Sequence, residues 1–181
     1  MKNISTTKMQ ERMLTAHFSL KEMCASGTAI RLGIKNEPSE EVINRLQQLC
    51  EHVLEPLRQR FGVIRITSGY RCERLNKAVG GVKNSQHRLG EAADIHVSNI
   101  EVGRKMFRYI KENLEFDQLL FERIQENGAC WLHVSYRGPL QQETHPNPPC
   151  LGREFHVRRN RRQAIDNYVV PPRLEELQYE Y

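Results

Sequence analysis

The stretch from Ser85 to Asp94 combines residue types that could bind a metal ion. It places an imidazole, His87, near a carboxylate, Asp94, with Gly90 between them where the chain can turn sharply. Imidazole nitrogen and carboxylate oxygen are both ligands for zinc. A third ligand must come from elsewhere, and His133, in the strand-like run Trp-Leu-His-Val-Ser, is the candidate. Three protein ligands leave a fourth position open for water, which is typical of catalytic zinc sites.

These residues are part of a longer pattern. Besides Ser-x-His-x-x-Gly-x-Ala-x-Asp at Ser85–Asp94, the chain has Phe-Ser-Leu-Lys-Glu-Met at Phe18–Met23, Ser-Gly-Tyr-Arg-Cys-x-x-Leu-Asn-x-x-Val-Gly-Gly at Ser68–Gly81, and Trp-x-His at Trp131–His133. From Phe18 to about Tyr136 it resembles the zinc D-Ala-D-Ala carboxypeptidases and their endolysin relatives, the M15 peptidases, whose fold is shared with the Hedgehog signalling domain. The resemblance implies an α+β fold, a small antiparallel or mixed sheet packed against helices, and a Zn²⁺ cofactor.

The resemblance also implies the metal ligands, which are His87, Asp94 and His133. Alternation along a strand supports the last of these, because His133 then shares a face with Trp131 while Leu132 and Val134 point to the other side. His96 shares the face of Asp94 and is the alternative ligand.

A metallopeptidase also needs a carboxylate that takes a proton from the attacking water and gives one to the leaving amine. Some relatives have an acid three residues before the third ligand, but Cys130 stands there, and others have His where this chain has Trp131. The Hedgehog-like arrangement has a Glu at the end of the preceding strand, which matches Glu122. We therefore predict Glu122 as the general base, with Glu126 as second candidate; the alternative for Glu122 is a surface residue at a strand end.

The resemblance implies that Arg71 lies at the rim of the site, where a guanidinium can bind a terminal carboxylate or a developing oxyanion bidentately. The alternative is a structural ion pair with Glu73 or Glu91. Three further residues are predicted to line the substrate cleft, although Ser85 could equally form a turn: Tyr70, Ser85 and Gln86.

The first half of the chain is predicted to place a helix before the metal motif. A capping box starts a short helix at Ser19, and the glycine-containing segment Cys24–Gly33 is predicted to be a loop. Apolar residues at helical spacing predict a helix from Pro38 to Gly62, in which Pro56 introduces a kink. The β-branched run Val63–Thr67 is predicted to be a strand.

The second half is predicted to build the sheet around the site. Arg71–Ala78 and Glu101–Asn113 are predicted helices, and Phe116–Glu122 and Trp131–Tyr136 are strands that should pair antiparallel across a turn at Glu126–Gly128. Six prolines lie beyond Arg137, where we expect at most one short strand and one short helix between residues 154 and 169.

Length and composition indicate one globular domain of 181 residues. The resemblance implies a peptidase core at about 18–137, followed by an extension at about 138–181. The net charge of +5 is partly concentrated in Arg158–Arg162, which we interpret as a solvated turn, so nucleic-acid binding is not expected. Five scattered cysteines without a Cys-x-x-Cys pair predict free thiols.

No secretory signal or membrane-spanning run is evident. We expect a monomer that is cytoplasmic as made and reaches the cell wall with a partner or lysis system. The predicted function is a zinc peptidase, either a carboxypeptidase or an endopeptidase, that cuts the peptidoglycan stem peptide. The alternative is a catalytically weak module of the same fold that keeps its zinc and serves in cell-wall recognition.

Overall fold

Helices and a small sheet alternate along the chain in the computed structural model, which describes residues 12–123, 129–138 and 153–158, the last segment by its backbone only. The described helices are α1 (Leu20–Met23), α2 (Gly27–Arg31), α3 (Glu40–Leu49), α4 (Glu55–Phe61), α5 (Glu73–Ala78), α6 (Gln86–Leu89) and α7 (Ile100–Asn113). The described strands are β1 (Ile66–Ser68), β2 (Ala92–Val97), β3 (Gln118–Arg123), β4 (Cys130–Ser135) and β5 (Arg153–Arg158). The fold is α+β, as the sequence predicts.

The described strands form one sheet in the order β1-β2-β4-β3-β5. Each neighbouring pair is antiparallel, including the predicted pair of β3 and β4. Strand β4 lies at the centre, and β5 pairs with the outer edge of β3. Residues beyond 137 therefore contribute a strand to the sheet of the predicted core.

The two faces of the sheet differ in chemistry because side chains alternate along each strand. One face carries fully buried apolar residues that pack under the helices: Ala93, Ile95, Leu119, Phe121, Leu132 and Val134. Full burial of a large apolar side chain contributes ~1.5–3 kcal/mol. Helix α7 approaches this face closely at Gly103, where a Cβ atom would lie 2.3 Å from the Phe121 ring. The opposite face carries Asp94 on β2 and His133 on β4.

The predicted helix from Pro38 to Gly62 is present but not continuous. A π-helical turn, Cys50–Leu54, separates α3 from α4. Pro56 stands in the first turn of α4, where its missing N–H and its ring disturb the preceding turn least. Gly62 ends the helix with φ 79°, a conformation that favours glycine.

The prediction of a loop over Cys24–Gly33 was wrong in its middle. Helix α2 forms there because the Ser26 hydroxyl accepts a hydrogen bond from the Ala29 N–H at 3.2 Å, which caps the first turn. Gly27 lies at the first position of this helix, where the sequence suggested a break.

The strand predicted at Val63–Thr67 is shifted toward the C-terminus, to β1. Val63 is 83% exposed, so β-branched residues alone do not place it in the sheet. A register shift between Ile66 and Ser68 shortens the pairing of β1 with β2.

Other predictions are confirmed where the structure describes the chain. The Ser19 hydroxyl caps α1, and α5 and α7 lie within a residue or two of their predicted positions. The turn at Glu126–Gly128 and the chain beyond Arg158 lie outside the described residues.

Among the described cysteines, Cys24, Cys50 and Cys72 form no disulfide, as predicted. Burial raises the pKa of the Cys24 thiol to about 12, which disfavours its reactive thiolate form. Cys150 lies outside the described residues. Within the described part of the chain, no helix has the length and apolar character that crossing a membrane requires.

Candidate metal centre

A one-turn helix followed by a strand positions two of the predicted ligands. His87 lies in α6 and Asp94 lies in β2, and Gly90 joins the two elements with φ 75°. A Cβ atom on Gly90 would lie 2.7 Å from the Val42 carbonyl oxygen, so the junction requires glycine for both conformation and space. The turn is therefore tight enough for both side chains to point to one place.

The third predicted ligand comes from the neighbouring strand. His133 on β4 is the direct cross-strand partner of Asp94 on β2. Asp94 Oδ1 lies 2.9 Å from His133 Nδ1 and 3.3 Å from His87 Nε2. Among the described residues these three form the group that could hold a metal ion, with ligand atoms all within 4.8 Å of one another.

The geometry and the donor types fit a zinc ion. Ligand atoms about 2 Å from a tetrahedral zinc lie roughly 3.3 Å from one another. Asp94 Oδ1 lies at a similar distance from the two histidine nitrogens, 2.9 Å from His133 Nδ1 and 3.3 Å from His87 Nε2. His87 and His133 are buried, and the Asp94 side chain is only 13% exposed. The rings of the two histidines stand edge to face, with centroids 5.1 Å apart.

The electrostatics favour the protonation states that a metal requires. Burial alone would raise the pKa of Asp94, but the two adjacent histidines hold that pKa well below its usual value. Burial lowers the pKa of His133, and the charges of Asp94 and Glu122 offset only part of this effect. An ionised carboxylate and a neutral imidazole are the forms that bind metal.

Glu122 lies on the same face of the sheet as the cluster. It is the cross-strand partner of Trp131, and Leu120, two residues earlier, is the partner of His133. Burial lowers the pKa of His133, and the negative charge of Glu122 offsets part of this shift. The structure therefore brings Glu122 within one row of the cluster, whereas Glu126 lies outside the described residues.

His96, the alternative ligand, lies in the cross-strand row of Trp131 and Glu122. Asp94 lies in the neighbouring row, opposite His133. His96 is exposed and does not belong to the potential metal-binding group found among the described residues.

Arg71 contacts the cluster directly. Its Nη2 donates to Asp94 Oδ2 at 2.8 Å, and its Nε donates to the Ser68 hydroxyl at 2.8 Å. In the described part of the chain, the two acids of the alternative interpretation pair elsewhere: Glu73 with Arg88, and Glu91 with Arg45 and Arg137.

The three residues predicted to contact substrate lie in different surroundings. Tyr70 lines an open cavity of about 460 Å³, together with Arg71, Ser68 and Arg31. Ser85 and Gln86 are buried beside the cluster and are not among the residues that line this cavity. A role in substrate binding stays a prediction for all three.

Some contacts of the site did not follow from the sequence. His87 Nδ1 donates to the Gly69 carbonyl oxygen at 2.7 Å, and Gly69 packs so tightly that a Cβ atom would lie 2.3 Å from Met23 O. Ser135 binds the Gln86 amide. Two features of the sequence could have indicated these contacts. Gly69 belongs to the Ser-Gly-Tyr-Arg motif, and Ser135 shares a strand face with His133.

Comparison with known proteins identifies one family. The family model described as Peptidase M15 matches residues 16–135, about two thirds of the chain. No curated protein and no solved structure gives a significant match.

Proposed function

The chain belongs to the M15 peptidase family, and we propose that it is a zinc metallopeptidase that hydrolyses peptide bonds of the peptidoglycan stem peptide. The observation that carries this proposal is the convergence of His87, Asp94 and His133 within 4.8 Å, with the donor types that zinc prefers. The cluster of these three side chains is largely buried, as expected of a site that must keep its ligands in fixed orientations.

In the proposed mechanism, His87, Asp94 and His133 hold the ion. A bound zinc supplies polarisation of the scissile carbonyl and lowers the pKa of a water molecule. Glu122 takes the proton of the attacking water and transfers it to the leaving amine. Its position on the face of the cluster, one row from His133, supports this role.

Arg71 is proposed to bind the substrate carboxylate or the oxyanion that forms during attack. Its hydrogen bonds to Ser68 and Asp94 use Nε and Nη2, which holds the guanidinium in one orientation and leaves Nη1 for a ligand. A donor that is already oriented stabilises developing charge without reorganisation.

The cavity beside Arg71 supports an anionic substrate. Among the described residues that line it are two arginines, Arg31 and Arg71, and no acid. A carboxylate of the peptide would pair with Arg31 and with Nη1 of Arg71, whose Nη2 already pairs with Asp94. Tyr70 would contact the adjoining chain of the substrate.

The proposal is tested by incubating the zinc-loaded protein with peptidoglycan and identifying the released fragments by mass spectrometry. Glu122→Gln should lower the rate about 10²-fold or more, because it removes the general base. The matched control is Glu101→Gln on the exposed surface of α7, which should keep full activity. Fragments cut at a peptide bond by the wild type and the control alone would support the assignment.

A second candidate is a recognition module that binds cell-wall peptide without cleaving it. Cys130 favours this candidate, because it occupies a position where several relatives have an acid and is buried. If the wild type and Glu122→Gln are equally inactive while both retain zinc, the recognition function replaces the peptidase.

A further inference from the structure

The two histidines of the cluster turn different ring nitrogens toward Asp94. His87 presents Nε2 and His133 presents Nδ1. A neutral imidazole carries one proton, so a nitrogen that binds metal leaves the remote nitrogen as an N–H donor. That donor needs an acceptor, because an unpaired buried donor is costly. For His87 the acceptor is the Gly69 carbonyl oxygen at 2.7 Å.

The acceptor that faces the remote nitrogen of His133 is a side chain. Gln86 Oε1 lies 3.5 Å from His133 Nε2, at the long limit for a hydrogen bond. A backbone carbonyl is fixed by the chain. A side-chain amide can rotate by half a turn, which swaps the positions of its oxygen and its nitrogen. The role of Gln86 therefore depends on what fixes its amide.

Ser135 fixes the amide of Gln86. The Ser135 hydroxyl oxygen accepts from the backbone N–H of Gln118 at 3.0 Å and from Gln86 Nε2 at 2.7 Å. With the amide nitrogen held there, Gln86 Oε1 faces His133. Gln86 on α6 therefore contacts two residues of β4, His133 and, two positions further along the strand, Ser135.

Burial makes a direct contact between Gln86 and a substrate unfavourable. Gln86 is 5% exposed and Ser135 is fully buried. We propose that Gln86, anchored by Ser135, is a positioning residue that fixes the tautomer and ring orientation of His133. This role is an alternative to the substrate contact predicted for Gln86, and it rests on the proposed function only in that His133 binds a metal.

The first test is zinc affinity, measured by competition with a chelator. Gln86→Leu keeps the approximate size of the side chain but removes the acceptor, and it should weaken zinc binding. Loss of an outer hydrogen bond to a ligating histidine costs 10–100-fold, and the long contact here predicts a value near tenfold. Gln86→Glu keeps an acceptor and should restore the affinity.

Two further variants sharpen this test. Ser135→Ala releases the amide and should cause a smaller loss than Gln86→Leu. Gln47→Leu is the matched control, since Gln47 is an amide on α3 whose hydrogen bond is to Glu51, and it should leave the zinc affinity unchanged. Circular dichroism establishes that each variant is folded; if Gln86→Leu is not, Gln86→Glu and Ser135→Ala decide.

The second test observes the hydrogen bond itself. In the zinc-free protein the Asp94 carboxylate lies 2.9 Å from His133 Nδ1 and accepts its proton, so the measurement is made on the zinc-loaded full chain, in which Nε2 carries the proton. Proton and nitrogen-15 NMR should show slow exchange of the Nε2–H with water in the wild type and faster exchange in Gln86→Leu. Equal exchange rates in the two zinc-loaded proteins would overturn the proposal. Failure of the wild type and every variant to bind zinc would instead overturn the proposed function, and with it this role of Gln86.

Discussion

At the scale of single residues, Asp94 has three partners, so we expect a substitution at this site to disturb several contacts at once. One carboxylate oxygen faces the two histidines and the other accepts from Arg71. The same Arg71 is fixed by Ser68. Because the guanidinium supplies two hydrogen bonds in a rigid fork, lysine is not an equivalent replacement.

We therefore predict that Arg71→Lys and Arg71→Ala both lower kcat/KM, by about 10²–10³-fold if the guanidinium stabilises the oxyanion. Steady-state kinetics on a stem-peptide fragment separates the two proposed roles. A fall in kcat indicates oxyanion stabilisation, and a rise in KM alone indicates binding of the substrate carboxylate. Arg74→Ala, on the exposed side of α5, is the control and should retain wild-type kinetics.

The buried imidazole of His133 predicts a pH dependence of stability in the zinc-free protein. Its pKa is lowered in the folded state because burial disfavours the cation. Between that value and the unfolded pKa of about 6.5, the unfolded chain binds more protons, so stability falls as the pH drops below about 6.5.

Urea denaturation at several pH values measures this dependence, and His133→Asn should have a smaller loss between pH 7 and pH 5. Asp94 has its own window. Its pKa is lowered, so its stabilising effect is present above about pH 3.9 and disappears at more acidic pH. Equal slopes for the wild type and His133→Asn near pH 6 would contradict the assignment to His133.

At the scale of the elements, the junction between α6 and β2 determines whether His87 and Asp94 meet. Gly90 adopts φ 75° in contact with α3. Gly90→Ala should destabilise the fold by more than the ~1–2 kcal/mol cost of a left-handed backbone alone, because its Cβ atom would also collide with Val42.

Thermal or urea unfolding of Gly90→Ala beside Gly33→Ala separates strain from collision. Gly33 has φ 59°, and a Cβ atom there meets nothing within 4 Å in the described structure. The Gly33 variant should therefore lose only the backbone cost. Equal losses in the two variants would mean that the collision with Val42 is relieved at no cost.

Local patterns account for what the sequence predicted at this scale. The short connection between the strand patterns at Phe116–Glu122 and Trp131–Tyr136 was sufficient to predict the antiparallel pair of β3 and β4. The position of His133 beside Asp94 was expected from the family resemblance and not from a local pattern. Helix α2 was missed because Gly27 was interpreted as a break, although Ser26 supplies a cap. The link from Gln86 to Ser135 spans 49 residues, and no local pattern specifies a contact at that separation.

At the scale of the whole molecule, β5 covers an edge that the matched family region leaves open. The family match ends at residue 135, and β5, at Arg153–Arg158, pairs with β3 beyond it. Strand β3 contains Glu122, so the extension lies directly beside the proposed general base. An uncovered strand edge is a template for pairing with another chain.

A chain truncated after Gly138 should therefore unfold at a lower temperature and self-associate. Size-exclusion chromatography with light scattering measures the association, and hydrogen exchange should show loss of protection in β3. Truncation after Arg158 is the matched control, because it keeps β5. A stable monomer after the shorter truncation would show that β3 needs no cover.

The predicted metal ligands lie on elements that differ in their stability against local opening. His133 belongs to the central strand, hydrogen-bonded on both sides, while His87 belongs to a single helical turn. Local openings of low free energy are drawn from such short segments, and central strands open only when the domain unfolds. A metal ion bound here should therefore dissociate when the helical turn that contains His87 opens locally. Asp94 and His133 would keep their positions on the sheet and could bind the ion again.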